Sequence, residues 1–212
     1  GENMKFTKIE SLTIVLAFVA LIVIGFNAFQ MSQLSINPNP TGNAVTNTDK
    51  KQYQDDAALT DILPKGVPSI YGNELGVGYD DVSASDQKKA DATIKKLGIL
   101  DQQISLSGDE LQRYIAVAGQ MSCEYCCGVD SIIFKDGKPA CSCAHSFAMR
   151  GLAKYLIKNH GTEFTDDEVL EELGKWKTLF FPGEITKKAL TLKEKGIELN
   201  YMNLASNKYR GI

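Results

Sequence analysis

All five cysteines of this 212-residue chain lie in one short stretch, followed at once by one of its two histidines. These six side chains are soft or borderline metal ligands. Their spacing is Cys-x-x-Cys-Cys, thirteen residues, then Cys-x-Cys-x-His, which is too tight for cysteines that cross-link distant parts of a fold. The sequence therefore predicts a metal or redox centre at residues 123–145, formed by Cys123, Cys126, Cys127, Cys141, Cys143 and His145.

The local sequence predicts how these ligands are arranged. The first three cysteines follow an amphipathic helix and lie in a turn closed by Gly128. A β-branched run and an Asp136-Gly137 turn then predict a small β-hairpin. The last three ligands reach the start of the next helix, where the N–H groups and the helix dipole favour thiolate over thiol. A knuckle, a hairpin and a helix N-terminus resemble the treble-clef-like arrangement of zinc sites.

Four chemistries fit this set of ligands. Zinc is the first expectation, held by Cys123, Cys126 and two of the later three, which leaves Cys127 and one other ligand in surplus. An iron–sulfur cluster needs four cysteines, although the spacings match neither common ferredoxin pattern. Copper(I) favours clustered thiolates. Disulfides are the fourth alternative, and with five cysteines one must remain unpaired within the chain.

The N-terminal part contains a long apolar segment. The residues from Leu12 to Phe29 carry no charge, and no charged residue occurs from Ser11 through Thr48. At ~1.5 Å per residue such a helix spans most of a ~30 Å hydrocarbon core. The alternatives are a buried helix and a cleaved signal, but the segment shows no Ala-x-Ala-like cleavage site after it. We expect an uncleaved transmembrane helix at residues 11–31, after a flank at 1–10.

The rest of the chain predicts a stalk and a mainly α-helical domain. Residues 32–56 are polar and contain Pro and Gly, which is typical of a flexible linker. Residues 57–212 form the predicted soluble domain, whose apolar periodicity indicates helices. Gly98 is predicted to end the first of them, and capping boxes are predicted at Ser107 and Thr165. The helices are expected at residues 85–97, 107–121, 144–159, 165–180 and 184–195.

Composition excludes some functional classes. The net charge is −3 and there is no polybasic tract, which argues against a nucleic-acid partner. The sequence contains no Ser-His-Asp set and no phosphate-binding loop, so a binding protein is favoured over an enzyme. Two lysines before the apolar segment weakly favour a cytoplasmic N-terminus and an extracytoplasmic C-terminal domain.

Two segments resemble known proteins. Residues 6–10 read Phe-Thr-Lys-Ile-Glu before the apolar helix, which resembles the start of mature type IV pilins, although Lys5 stands where the pilin processing site has Gly. The segments CEYCCG and CSCAHSFAMRGLAKYL are similar to uncharacterised membrane-anchored cysteine-rich proteins of archaea. The first resemblance implies a homo-oligomer or filament formed through the N-terminal helix. The second implies an extracytoplasmic location and names no reaction.

Together these features predict a single-pass, membrane-anchored, extracytoplasmic metal-binding protein. Its lipid partner would be the bilayer around residues 11–31, and its metal would be structural zinc or a carried metal ion. The alternatives are a pilin-like filament subunit and an iron–sulfur electron-transfer protein.

Overall fold

The computed structural model describes residues 62–212, and this part of the chain is mainly helical, as predicted. The predicted membrane span, the linker and the pilin-like start lie outside the described residues. Among residues 62–212, no helix is long and apolar enough to cross a membrane. The helices of this part are α1 (Gly72–Leu75), α2 (Gln87–Gln103), α3 (Gly108–Ala118), α4 (Ala144–Asn159), α5 (Asp166–Phe180), α6 (Pro182–Glu194) and α7 (Tyr201–Ala205), with 3₁₀ turns at Tyr79–Asp81 and Asn207–Tyr209.

Helix α4 is the centre of the domain and packs against α2, α3 and α5. Its inward face is apolar at helical spacing, and Leu152 and Leu156 have no exposed surface. The facing side of α5 contributes Leu173 and Trp176, which are also fully buried. A smaller apolar cluster joins α6 to α7. The cysteine segment connects α3 to α4 and is therefore attached to the best-packed part of the domain.

Helix α2 does not end at Gly98 but continues to Gln103. The glycine allows a close crossing with α4, because a Cβ at Gly98 would lie 3.3 Å from the Cβ of Phe147. Opposite it, a Cβ at Gly151 would overlap the carbonyl oxygen of Leu97. The predicted stop at Gly98 was wrong because a glycine inside a helix can serve packing between helices as well as termination.

The two predicted capping boxes have different outcomes. At Thr165 the box is present, since its hydroxyl accepts from the N–H of Glu168 at 3.3 Å and the Glu168 carboxylate accepts from the N–H of Thr165 at 2.7 Å. At Ser107 the serine is the N-cap residue, as predicted, but its side chain makes no capping hydrogen bond, so the predicted box does not form.

The segment predicted as a hairpin forms a tight turn, and residues 62–212 contain no β-strand. The N–H of Phe134 donates to the Lys138 carbonyl at 2.8 Å, and the only ladder contact in this segment is a single antiparallel bridge between Ile133 and Pro139. Gly137 has a φ of 81°, which allows the chain to reverse. The turn therefore returns the chain from the first cysteines to the last ones.

Candidate metal centre

The first three cysteines lie on a small loop that follows α3. The N–H of Cys123 donates to the Val129 carbonyl at 3.2 Å, which closes the loop at its base. Gly128, with a φ of 67°, turns the chain just before Val129. Cys123 is buried, whereas Cys126 and Cys127 are exposed. The loop therefore presents one sulfur from the core and two from the surface.

The last two cysteines approach the same place from the start of α4. Cys143 is the N-cap of this helix, and its sulfur accepts from the N–H of Ser146 at 3.3 Å. Cys141 is buried, and its carbonyl accepts from the Arg150 guanidinium at 2.8 Å. Arg150 is held in turn by Asp101, with Nε 2.8 Å from its carboxylate. Both cysteines are thus fixed to the helical core.

Four sulfur atoms converge between the loop and the helix. The Sγ atoms of Cys123, Cys126, Cys127 and Cys143 all lie within 4.8 Å of one another. Cys123 is the central member, at 3.1 Å from the Cys126 sulfur and 3.4 Å from the Cys143 sulfur. The Cys126 and Cys127 sulfurs are 3.8 Å apart. Such a group can hold a metal ion, and the geometry does not identify which metal.

Cys127 has a second bonding partner in the structure. It forms a disulfide with Cys141, with their Cα atoms 6.5 Å apart. Cys141 in turn has its sulfur 3.6 Å from that of Cys123. All five cysteines therefore belong to one cluster, and Cys127, which was predicted to be in surplus, lies within the group of four.

His145 is not among the four residues whose ligand atoms converge. Its ring packs against Phe180 and Phe181, with centroids 5.0 Å and 4.7 Å away. Burial lowers its pKa, against the opposing charges of Cys123 and Asp91. It also lines a groove of about 570 Å³ between α2 and the start of α4.

The cluster contains thiols of unlike acidity. The hydrogen bond from the Cys123 thiol lowers the pKa of the Cys143 thiol to about 7, against the effect of burial and with help from Ser146. The same contact, together with burial, raises the pKa of Cys123 to about 12. A thiolate at Cys143 near neutral pH is a nucleophile and a metal ligand.

A buried charge cluster lies next to the sulfurs, and the sequence did not predict it. Lys177 and Lys188 each have Nζ 3.1 Å from the same carboxylate oxygen of Glu124. Burial lowers the pKa of Lys177 to about 8, although Glu124 and Cys123 oppose this. Two lysines against one glutamate give this cluster an excess of cationic groups, and Lys177 interacts with Cys123 as well as with Glu124. The sequence feature that could have indicated this cluster is the position of Lys177 on the apolar stripe of α5, where a lysine is buried.

The fold and the site thus define a helical domain with a surface thiol cluster at the N-terminus of its central helix. No known protein family matches this chain, and no curated protein and no solved structure matches it significantly. The resemblances to pilins and to archaeal cysteine-rich proteins therefore remain predictions.

Proposed function

We propose that this chain is a metal-binding protein in which Cys123, Cys126, Cys127 and Cys143 hold one zinc ion. The observation that carries the proposal is the convergence of their four sulfur atoms within 4.8 Å of one another. Thiolates are among the ligands that zinc prefers in proteins. The two ends of the site are supplied by an exposed loop and a helix N-terminus, so the ion would lie at the domain surface.

The distances between the sulfurs support a single ion. A zinc ion with Zn–S bonds of about 2.3 Å at the centre of a tetrahedron places its sulfurs about 3.8 Å apart. The observed distances from Cys123 to Cys126 and from Cys126 to Cys127 are 3.1 Å and 3.8 Å. An iron–sulfur cluster places several iron and sulfide atoms between its cysteines and needs a wider spacing. The geometry therefore favours one ion over a cluster.

Copper(I) is the second candidate, because three free thiols remain beside the disulfide. Cys123 has its sulfur 3.1 Å from that of Cys126 and 3.4 Å from that of Cys143, and none of the three is bonded to another cysteine. Copper(I) is a soft ion that thiolates select. Such a three-thiolate site would use the oxidised form of the chain.

Burial favours an exchangeable ion over one that holds the fold together. The main apolar core contains buried residues from α2 to α5, and only Cys123 and Cys141 of the cluster belong to its buried members. Cys126 and Cys127 are exposed. A carried or sensed ion needs this kind of access, so we propose a carrier or sensor role.

We further propose that residues 11–31 anchor the domain to a membrane with the metal site outside the cytoplasm. The uncharged segment from Ser11 through Thr48 supports the anchor, and the lysines before it support the orientation. Deletion of residues 11–31 should move the chain from the membrane fraction to the soluble fraction. An unchanged distribution would contradict the anchor.

Elemental analysis of the purified, reduced full chain tests the metal proposal. We expect one zinc per chain in the wild type and in Cys141→Ser, and less than one tenth of this in Cys143→Ser. A wild-type chain that binds no zinc, or a Cys143→Ser variant with full zinc content, would contradict the site. Copper in place of zinc, in a chain purified without reductant and with the Cys127–Cys141 disulfide retained, would establish the second candidate.

A further inference from the structure

Cys127 takes part in two bonding arrangements, the group of four sulfurs and a disulfide. Its sulfur is one of the four within 4.8 Å of one another, and it is also bonded to the sulfur of Cys141. A sulfur in a disulfide is not available as a thiolate ligand, so the two arrangements exclude each other. We propose that Cys127 and Cys141 are a redox-sensitive pair whose oxidation releases the metal ion, an inference that rests on the four-thiolate site proposed above.

The backbone geometry permits both arrangements. The Cα atoms of Cys127 and Cys141 are 6.5 Å apart, within the range of about 4.4–6.8 Å that a disulfide spans. With the backbone in this position, the Cys127 sulfur also reaches the sulfurs of the other three ligands. The two arrangements therefore differ in the bond between the Cys127 and Cys141 sulfurs and require no refolding of the loop.

The two cysteines differ in their surroundings, which assigns them different roles. Cys127 is exposed in the loop, beside Gly128, where an oxidant can reach it. Cys141 is 6% exposed, and its carbonyl accepts a hydrogen bond from the buried Arg150. Cys127 is therefore the cysteine that reacts first with an oxidant, and Cys141 is the resolving cysteine.

The oxidant is a low-molecular-weight disulfide, and the reaction balances as thiol–disulfide exchange. The Cys127 thiolate attacks one sulfur of the oxidant, forms a mixed disulfide and expels the other half as a thiolate. The Cys141 thiolate then attacks the Cys127 sulfur and expels the second half. The two protein sulfurs lose two electrons to the oxidant, whose two halves leave as thiolates and take up their protons from the Cys141 thiol and from water.

Formation of the disulfide releases the metal whether Cys127 or Cys141 is the fourth ligand. The Cys141 sulfur is 3.6 Å from that of Cys123, so Cys141 could take the place of Cys127 in the coordination. The disulfide removes both candidates at once and leaves Cys123, Cys126 and Cys143. The ring of His145 packs against Phe180 and Phe181, away from the group of four. We expect the loss of one ligand to weaken zinc binding by at least about 100-fold, the upper end for changes around a metal site.

The test uses the reduced, zinc-loaded full chain, oxidised glutathione as the oxidant and a chromophoric zinc indicator. In the wild type we expect one zinc released for each Cys127–Cys141 disulfide, located by peptide mass mapping. Cys141→Ser should bind one zinc and be oxidised only as far as a Cys127–glutathione mixed disulfide, so reduced glutathione added afterwards should restore its zinc binding at least about 10-fold faster than in the wild type. If Cys141→Ser binds no zinc, Cys141 is the fourth ligand, and Cys127→Ser is then expected to bind zinc and resist release.

Three results would overturn the inference. Zinc could remain bound after the Cys127–Cys141 disulfide has formed, zinc could be released with a different disulfide, or reduced glutathione could restore zinc binding in Cys141→Ser no faster than in the wild type. Failure of the proposed function is recognised earlier and separately, because a reduced wild-type chain would then bind no zinc before any oxidant is added.

Discussion

Lys177 is a fully buried cation beside the cysteine loop, and every hydrogen bond it donates is accounted for. Its Nζ donates to Ser122 at 3.0 Å, to Glu124 at 3.1 Å and to the carbonyl of Ala205 at 2.9 Å. The lysine therefore joins α5 to the loop and to the end of α7. These hydrogen bonds stabilise the cysteine loop and hold it in a fixed position against the helical core.

Lys177→Met should destabilise the domain strongly. Removal of one partner of a buried ion pair costs about 3–5 kcal/mol, and the nearby Lys188 keeps the cost near the lower end of this range. Denaturant unfolding measures the free energy of unfolding. Lys187→Met is the matched control, because the Lys187 side chain is 71% exposed and should change stability by less than about 0.5 kcal/mol. Equal effects in the two variants would contradict the role of Lys177.

Substitutions at Cys126 and His145 test which of these two residues binds the metal and which only lies near it. Cys126→Ser should weaken zinc binding by at least about 100-fold, since it removes a thiolate of the group. His145→Phe removes both ring nitrogens but retains an aromatic ring against Phe180 and Phe181, so zinc affinity should be unchanged. Competition with a chelator of known affinity measures both values. A large loss in His145→Phe would show that the histidine is a ligand.

At the scale of elements, α2 and α4 cross closely at Gly98 and Gly151. Gly151→Ala would place a Cβ against the Leu97 carbonyl oxygen and 2.9 Å from the backbone nitrogen of Asp101. Overpacking of this kind costs about 1–3 kcal/mol. In the control Gly183→Ala, a Cβ would meet nothing within 4 Å, and stability should rise by up to about 1 kcal/mol. Thermal unfolding distinguishes the two, and an unaffected Gly151→Ala would contradict the close crossing.

His160 joins the end of α4 to α1 and should make stability depend on pH. Burial alone would lower its pKa, but hydrogen bonds to Glu163 at 2.6 Å and Glu74 at 3.1 Å raise it overall. A raised pKa in the folded state means that this contribution is present below about pH 6.5 and is lost as pH rises through the folded value. Its size should be at most about 1 kcal/mol, because both carboxylates are half exposed.

The measurement compares the free energy of unfolding at pH 6 and pH 8 in the wild type, His160→Gln and Glu163→Gln. The wild type should lose more stability towards pH 8 than His160→Gln, and Glu163→Gln should fall between them because Glu74 remains. Identical pH profiles in all three chains would show that His160 does not contribute.

Helix positions were largely predictable from apolar periodicity, but helix ends depended on tertiary contacts. The box at Thr165 is local and was found, whereas the continuation of α2 through Gly98 depends on what α4 presents to it. Lys177 shows the same limit for charge. It lies on the stripe formed with Val169, Leu170, Leu173 and Trp176, and only the partner Glu124, far away in sequence, explains a lysine there.

At the scale of the whole molecule, the clustering of cysteines predicted a centre but not its membership. Spacing alone placed Cys127 in surplus, because nothing local shows how the loop turns. The tight turn at Gly137 and the packing of α3 against α4 bring Cys127 to the other three sulfurs and to Cys141. The same geometry directs the His145 ring towards Phe180 and Phe181.

The central claim is that one metal ion is held by four thiolates, and zinc K-edge X-ray absorption of the reduced, zinc-loaded full chain tests it most directly. We predict four sulfur neighbours at about 2.3 Å from zinc. The same spectrum should contain no metal–metal scattering. Fewer than four sulfurs with a nitrogen or oxygen neighbour, or scattering from a second metal atom, would contradict the four-thiolate site.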